Sequence, residues 1–293
     1  MPFLEIHLRL KSAEQPTVEA ALEACGSLAI TLLDAEDVPI LEPGPGETPL
    51  WPDLLLTGLF PHTQDRIELL VALDTQIPEH ILCTARFAEV DDKDWTRVWM
   101  DGYKPMRFGE RLWIVPTTCE PPDPNAINLR LDPGLAFGTG THPTTALCLR
   151  WLDGLPLHGK RVIDFGCGSG ILAIASLLLG ATSAWAIDND PQALVATREN
   201  ALRNQVAEKL SVHADTAAPP APAQVLLANI LLPPLLQLAP LMARLCLAGG
   251  EAVFSGMLQG QQHEFIERYR QAFEDFEVLT EGDWIRISAR RRS

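Results

Sequence analysis

The chain has 293 residues, 47% of them hydrophobic and 21% charged, which is material for one large packed domain or two ordinary ones. It offers no run of roughly 18 uncharged apolar residues, the length a membrane helix needs, and its first residues have no basic stretch ahead of an apolar one, so a cytoplasmic protein is expected. The formal charge of −15 is uneven: residues 1–94 hold 5 Lys/Arg against 18 Asp/Glu, a balance that repels a phosphate backbone and attracts basic partners, although a merely solvated surface would carry it too.

Leu4, Ile6, Leu8 and Leu10 alternate with polar residues, the two-residue period of a half-buried strand. Helical spacing follows from Thr17 to Cys25 and stops at Gly26, and Leu28 to Leu33 then reads as a strand. After a Pro/Gly-rich interruption from Pro39 to Pro52, a strand over Leu54 to Phe60, a helix over Thr63 to Leu73 and a strand over Leu82 to Val90 repeat the unit. Two strand-helix-strand units predict a small α+β domain of ferredoxin-like type over residues 1–92. Residues 93–125, charged, aromatic and then turn-rich, are read as a linker.

From Arg161 short apolar runs alternate with helical segments: Val162–Phe165, helix 170–179, Ala184–Ile187, helix 191–204, Leu210–His213, Val225–Ala228, helix 234–246, Ala252–Ser255 and helix 261–273. This alternation predicts an α/β, Rossmann-like domain over residues 126–293, with a mainly parallel sheet covered on both faces. Phe276–Leu279 and Trp284–Ala289 have no helix between them, so Glu281-Gly282-Asp283 is expected to be a hairpin turn, with an antiparallel edge strand ending the sheet.

The chemistry concentrates where the first of these strands meets its helix, at Asp164-Phe-Gly-Cys-Gly-Ser-Gly170. Alternate glycines let a ligand approach the backbone at a helix amino end. The order is not the Gly-x-Gly-x-x-Gly of a pyrophosphate site, and the leading carboxylate suits a cationic group such as the aminoacid end of S-adenosylmethionine. Asp188 ends the second strand, where a carboxylate can accept from both ribose hydroxyls, and Asp190 before Pro191 fits a helix cap. Asn229 ends the fourth strand; it could hold a target amine or cap the helix that follows. The loop Leu131 to Thr145 packs glycines, hydroxyls and His142 ahead of a helix beginning near Thr144; its hydroxyls could bind the cofactor, with Phe137 against the ligand, and His142 reads better as a cap than as a base. The cysteines at 25, 83, 119, 148, 167 and 246 form no Cys-x-x-Cys pair and no cluster with histidines, so no metal is expected, and Cys167 reads as filler.

Taken together, Asp164–Gly170, Asp188 and Asn229 resemble the motifs of class I S-adenosylmethionine-dependent methyltransferases. The stretch Leu131-Asp-Pro-Gly-Leu-Ala-Phe-Gly-Thr-Gly-Thr-His-Pro-Thr-Thr145, with Asp94-Trp-Thr-Arg-Val-Trp-Met100 and Met106-Arg-Phe-Gly-Glu-Arg-Leu-Trp113, is more particular. It resembles the family that methylates the eleventh protein of the bacterial large ribosomal subunit. The resemblance implies transfer of methyl groups from S-adenosylmethionine to lysine side chains and the N-terminal amine of that basic ribosomal protein, held by the ferredoxin-like domain. It places cofactor contacts on Thr145, Gly166, Asp188 and Asn229. No direct nucleic acid contact and no membrane are expected, and the enzyme is expected to be a monomer. The alternatives are methylation of another protein or of RNA, a nicotinamide-dependent oxidoreductase, and a cofactor-binding module without catalysis.

Overall fold

The computed structural model describes residues 2–36, 40, 49–91, 103–132, 138, 140–214 and 221–293. Contacts divide the chain into two compact units, Met1–Trp95 and Thr96–Ser293.

In the first unit β1 (Phe3–Lys11), α1 (Gln15–Ala24), β2 (Ala29–Asp34), β3 (Asp53–Pro61), α2 (Arg66–Asp74), a helical turn α3 (Glu79–Leu82) and β4 (Arg86–Val90) follow in order. The strands form one antiparallel sheet in the order β2-β3-β1-β4, the ferredoxin-like arrangement. The alternation that marks β1 as a strand also makes the core: Leu4, Ile6, Leu8 and Leu10 are buried with Val18, Ala21 and Leu22 of α1 and Leu69 and Leu73 of α2. Two boundaries differ from expectation for local reasons. Helix α2 starts at Arg66 because the Asp65 carboxylate accepts from the amides of Ile67 and Glu68 at 2.8 and 2.9 Å. Leu82, expected to begin a strand, instead closes the helical turn α3, because the Pro78 carbonyl takes the amides of Ile81 and Leu82, and the strand begins at Arg86.

The second unit opens with β5 (Met106–Phe108), β6 (Leu112–Val115) and β7 (Ile127–Arg130), a three-stranded sheet. Part of the segment read as a linker is therefore structured. Phe108, Leu112 and Ile114 are buried in the core of this unit, packed with Leu149 and Leu152. The buried Asp153 carboxylate ties the β5–β6 turn down by accepting from the Glu110 amide at 2.6 Å. Gly109, at φ +73°, permits that approach; a Cβ there would lie 2.3 Å from Asp153 Oδ2. Asp94–Met100 lies outside the described residues.

Then come α4 (Pro143–Gly154), β8 (Arg161–Phe165), α5 (Ile171–Leu178), β9 (Ser183–Ile187), α6 (Pro191–Arg203), β10 (Leu210–His213), β11 (Ala223–Asn229), α7 (Leu232–Leu245), β12 (Cys246–Leu258), α8 (Gln262–Tyr269), β13 (Phe273–Glu281) and β14 (Trp284–Arg291). The seven strands order as β10-β9-β8-β11-β12-β14-β13. Helix α5 is apolar apart from Ser176, whose hydroxyl donates to the Leu172 carbonyl, and is nearly wholly buried, as a helix clamped between sheet and neighbours must be. One core fills the sheet face under α4 and α5, and a second fills the opposite face under α7 and α8.

The hairpin forms as expected, with a two-residue turn at Gly282-Asp283 and Gly282 at φ +59°. The hairpin ends the sheet as expected, with its edge strand β13 paired antiparallel to β14. β14 inserts between β12 and β13, antiparallel to both, and leaves β13 outermost. Burial explains the choice: Ile285, Ile287 and Ala289 of β14 are almost fully covered, whereas β13 alternates between half-buried and exposed residues, as an edge strand can.

Candidate functional site

The crevice lies at the carboxyl ends of β8, β9 and β11, where the strand order reverses to either side of β8. The β8–α5 loop is held open by backbone geometry. Gly166, Gly168 and Gly170 take φ of +74°, +54° and +79°, and the amides of Gly166 and Cys167 both donate to the Ile187 carbonyl, at 2.8 and 3.0 Å. Thr197 of α6 donates to the Gly168 carbonyl at 2.9 Å, and the Asn200 amide nitrogen donates to the Ser169 carbonyl at 2.9 Å. The Ser169 hydroxyl donates to the Gly138 carbonyl at 2.6 Å, which ties the Leu131–Thr145 stretch to the glycine loop. Phe137 lies outside the described residues.

Asp188 directly follows β9 and stands beside this loop. Its Oδ2 accepts from the Gly168 amide and its Oδ1 from the Asp190 amide, each at 2.9 Å. A carboxylate oxygen has more than one acceptor direction, so each can serve a further donor. Asp190 does cap α6, accepting from the Gln192 amide at 2.9 Å. Asp164 is 1% exposed, with Oδ2 accepting from the Ala173 amide and Oδ1 buried without a partner. Burial pushes its carboxyl up to about 7, and the negative charge of Asp188 pushes the same way. It lies behind the glycines rather than on the cleft wall. Burial pushes the Cys167 thiol up to about 12, which gives it no nucleophilic role.

Asn229 does not cap α7, whose cap residue is Leu231. Its side-chain nitrogen donates to Thr145 Oγ1 at 3.3 Å, and its Oδ1 is buried with no hydrogen-bond partner. Thr145, 1% exposed, thus meets the site through Asn229 rather than on the cleft surface. His142 caps α4: its Nδ1 takes the Thr144 amide at 3.4 Å and pairs with the Thr144 hydroxyl at 2.7 Å, and burial lowers its pKa.

Two adjoining cavities open here. The first, about 330 Å³, is walled by Gly166, Gly168, Ile187, Asp188, Asn189 and Leu238 among others. The second, about 450 Å³, is almost wholly apolar, with walls at His142, Thr144, Leu231, Gly256 and Trp284. Asn229, Ile230 and Pro234 belong to both. Ile230 is seated between two glycines: a Cβ on Gly166 would lie 2.2 Å from its Cγ2, and a Cβ on Gly256 would lie 2.5 Å from its carbonyl oxygen. Of the residues singled out in the sequence, Gly166, Asp188 and Asn229 meet at the first cavity, with Thr145 just behind. Ile230, Gly256 and Trp284 were not foreseen. Only Gly256 carried a signal, as a glycine inside an apolar strand run, which marks close backbone approach.

Residues 2–292 match the family model described as ribosomal protein L11 methyltransferase (PrmA). The ribosomal protein L11 methyltransferase of Stenotrophomonas maltophilia (strain K279a) is 51% identical over 306 residues, covering 100% of both chains. That of Klebsiella pneumoniae (strain 342) is 49% identical over 296 residues, covering 99% of this chain and 100% of its own. Among solved structures, the ribosomal protein L11 methylase of Lactobacillus delbrueckii subsp. bulgaricus superposes with a TM-score of 0.60 at 31% identity, covering 65% of this chain and 100% of that one. The chain belongs to the ribosomal protein L11 methyltransferase family, and is a class I methyltransferase with S-adenosylmethionine as its methyl donor.

Proposed function

We propose that the enzyme, acting as a cytoplasmic monomer, methylates lysine side-chain amines and the N-terminal amine of ribosomal protein L11, and that the acidic unit 1–95 holds this basic substrate. Family membership removes the nicotinamide-dependent alternative. The residues present fit S-adenosylmethionine on three counts. Gly166 and Gly168 bring bare backbone to the cleft at positive φ. Asp188 offers a carboxylate already fixed by two amides and able to accept from ribose hydroxyls. The Asp164 carboxyl beneath the loop, raised to about 7 by burial, can ionise to meet a cationic aminoacid group.

When bound, the cofactor supplies an electrophilic methyl group on a sulfonium. The chain's residues then align and exclude water, because charge is dispersed in the displacement rather than created. The reading is carried by one observation: Asn229, whose buried Oδ1 has no hydrogen-bond partner, lines both cavities. A buried acceptor without a donor costs about 1–3 kcal/mol, so its retention points to a donor that arrives with a ligand. Asn229 Oδ1 accepts an N–H of the target amine and aims its lone pair at the methyl carbon, while Thr145 Oγ1 holds the amide in that orientation. The amine must be unprotonated to attack; desolvation beside a cation favours loss of its proton, and no dedicated base is required.

Intact-mass analysis of L11 after incubation with enzyme and cofactor tests the proposal, with peptide mapping to locate the modified amines. Methyl-group increments on lysine and on the N-terminus are expected. An unchanged mass, or label confined to another class of side chain, would overturn it.

A further inference from the structure

Resting on the reading above, we propose that the apolar cavity behind Asn229 binds the alkyl stem of the target amine in its uncharged form, with Trp284 setting preference for a long unbranched stem. The cavity shares Asn229, Ile230 and Pro234 with the donor cleft, so a stem lodged in it brings a terminal amine to the Asn229 side chain. Among its described lining residues there is no carboxylate, Lys or Arg. An ammonium would lose its hydration there with no anion to replace it, which selects the neutral amine. His142 brings no charge either, since burial lowers its pKa and its Nδ1 is engaged at the amino end of α4.

The walls are built for a stem rather than for a polar group. The Trp284 indole stands edge-on to the His142 ring, centroids 4.7 Å apart at 69°. It is brought there by the two-residue Gly282-Asp283 turn, which starts β14 directly beside the cavity. Gly256 keeps β12 close against the Ile230 backbone, and its missing side chain leaves the space open. At about 450 Å³ the cavity has room for four methylenes and an amine.

Linear primary alkylamines of one to five carbons are the probe, used as inhibitors competitive with L11 on the full-length enzyme at saturating cofactor. Burying each added methylene is expected to lower the inhibition constant about fourfold, from about 0.8 kcal/mol per methylene. Below the amine pKa, inhibition by the four-carbon amine is expected to strengthen tenfold per pH unit, because only the neutral form binds. Trp284→Ala is expected to flatten the chain-length series to under twofold per methylene, and Trp284→Phe to retain most of it. Cofactor affinity by calorimetry is expected to stay within twofold in both variants. A flat series or a pH-independent constant in the parent enzyme would overturn the proposal, as would an equally steep series in Trp284→Ala. If Trp284→Ala does not fold, the two parent measurements decide. Failure of the methyl-transfer reading is separate: L11 would then keep its mass with the parent enzyme, whatever the amines do.

Discussion

Replacing Asp164 by Asn removes a titrating carboxyl while keeping its shape and its acceptor for the Ala173 amide. In the folded chain the group is fully buried and its pKa stands at about 7, against an ordinary value of 3.8. A folded-state pKa raised above the unfolded one means that the native state binds more protons between those values. The stability of the parent enzyme therefore falls as pH rises from about 4 to about 7, and the loss is complete above the folded pKa. Three units at 1.36 kcal/mol each set the scale at about 4 kcal/mol, an upper bound because local relaxation and water penetration soften burial. Asn leaves its amide N–H group in the unpartnered Oδ1 position, at a cost of about 1–3 kcal/mol that does not vary with pH. The comparison is thus one of slopes. Urea unfolding of the cofactor-free enzyme from pH 4.5 to 8 should show a difference, Asp164→Asn minus parent, that rises by a few kcal/mol and levels off above pH 7. Parallel curves over that range would refute the assignment of a raised pKa to this group.

Cofactor binding supplies a second test of the same carboxyl: a cation above it favours ionisation, so calorimetry near pH 6.5 in buffers of different ionisation enthalpy should register proton release that Asp164→Asn abolishes. Asp188→Ala removes the acceptor that also anchors the Gly168 and Asp190 amides; at about 1.5–3 kcal/mol per charged hydrogen bond, S-adenosylmethionine should bind at least tenfold more weakly, and unchanged affinity would sink the ribose assignment. Gly166→Ala forces a Cβ to within 2.2 Å of Ile230 Cγ2 and strains φ +74°, so cofactor affinity should drop at least tenfold. Adding Ile230→Ala should recover part of it, and strict additivity of the two changes would show that the clash is not the cause. The isolated unit 96–293 should bind S-adenosylmethionine but lose turnover on L11; full turnover would remove the substrate-holding role from residues 1–95.

Much of the architecture was legible because local rules and burial agree. The alternation of Leu4 to Leu10 made β1 visible, and the nearly all-apolar Ile171–Leu178 pointed to a covered helix. The positions of Gly166 and Asp188 were legible because a glycine run or a lone carboxylate at a strand end stands out from the apolar residues before it. Residues 106–115 were misread as linker because their strands are short and their burial depends on α4, far along the chain. The place of β14 was also hidden, since a hairpin fixes which strands are neighbours but not which of them takes the edge; comparative burial decides that.

Periodicity and motifs confined to a few neighbouring positions carried the two-unit plan and the class of cofactor, and they put Gly166, Asp188 and Asn229 at strand ends. Packing alone brought Thr145 to the Asn229 amide nitrogen, left Asn229 Oδ1 without a donor, and put Trp284 on the wall of the same apolar cavity. The physical reason is that a strand end or a glycine turn is specified by adjacent residues, whereas an unsatisfied acceptor and the cavity beside it exist only once β11, β14 and α4 are packed together.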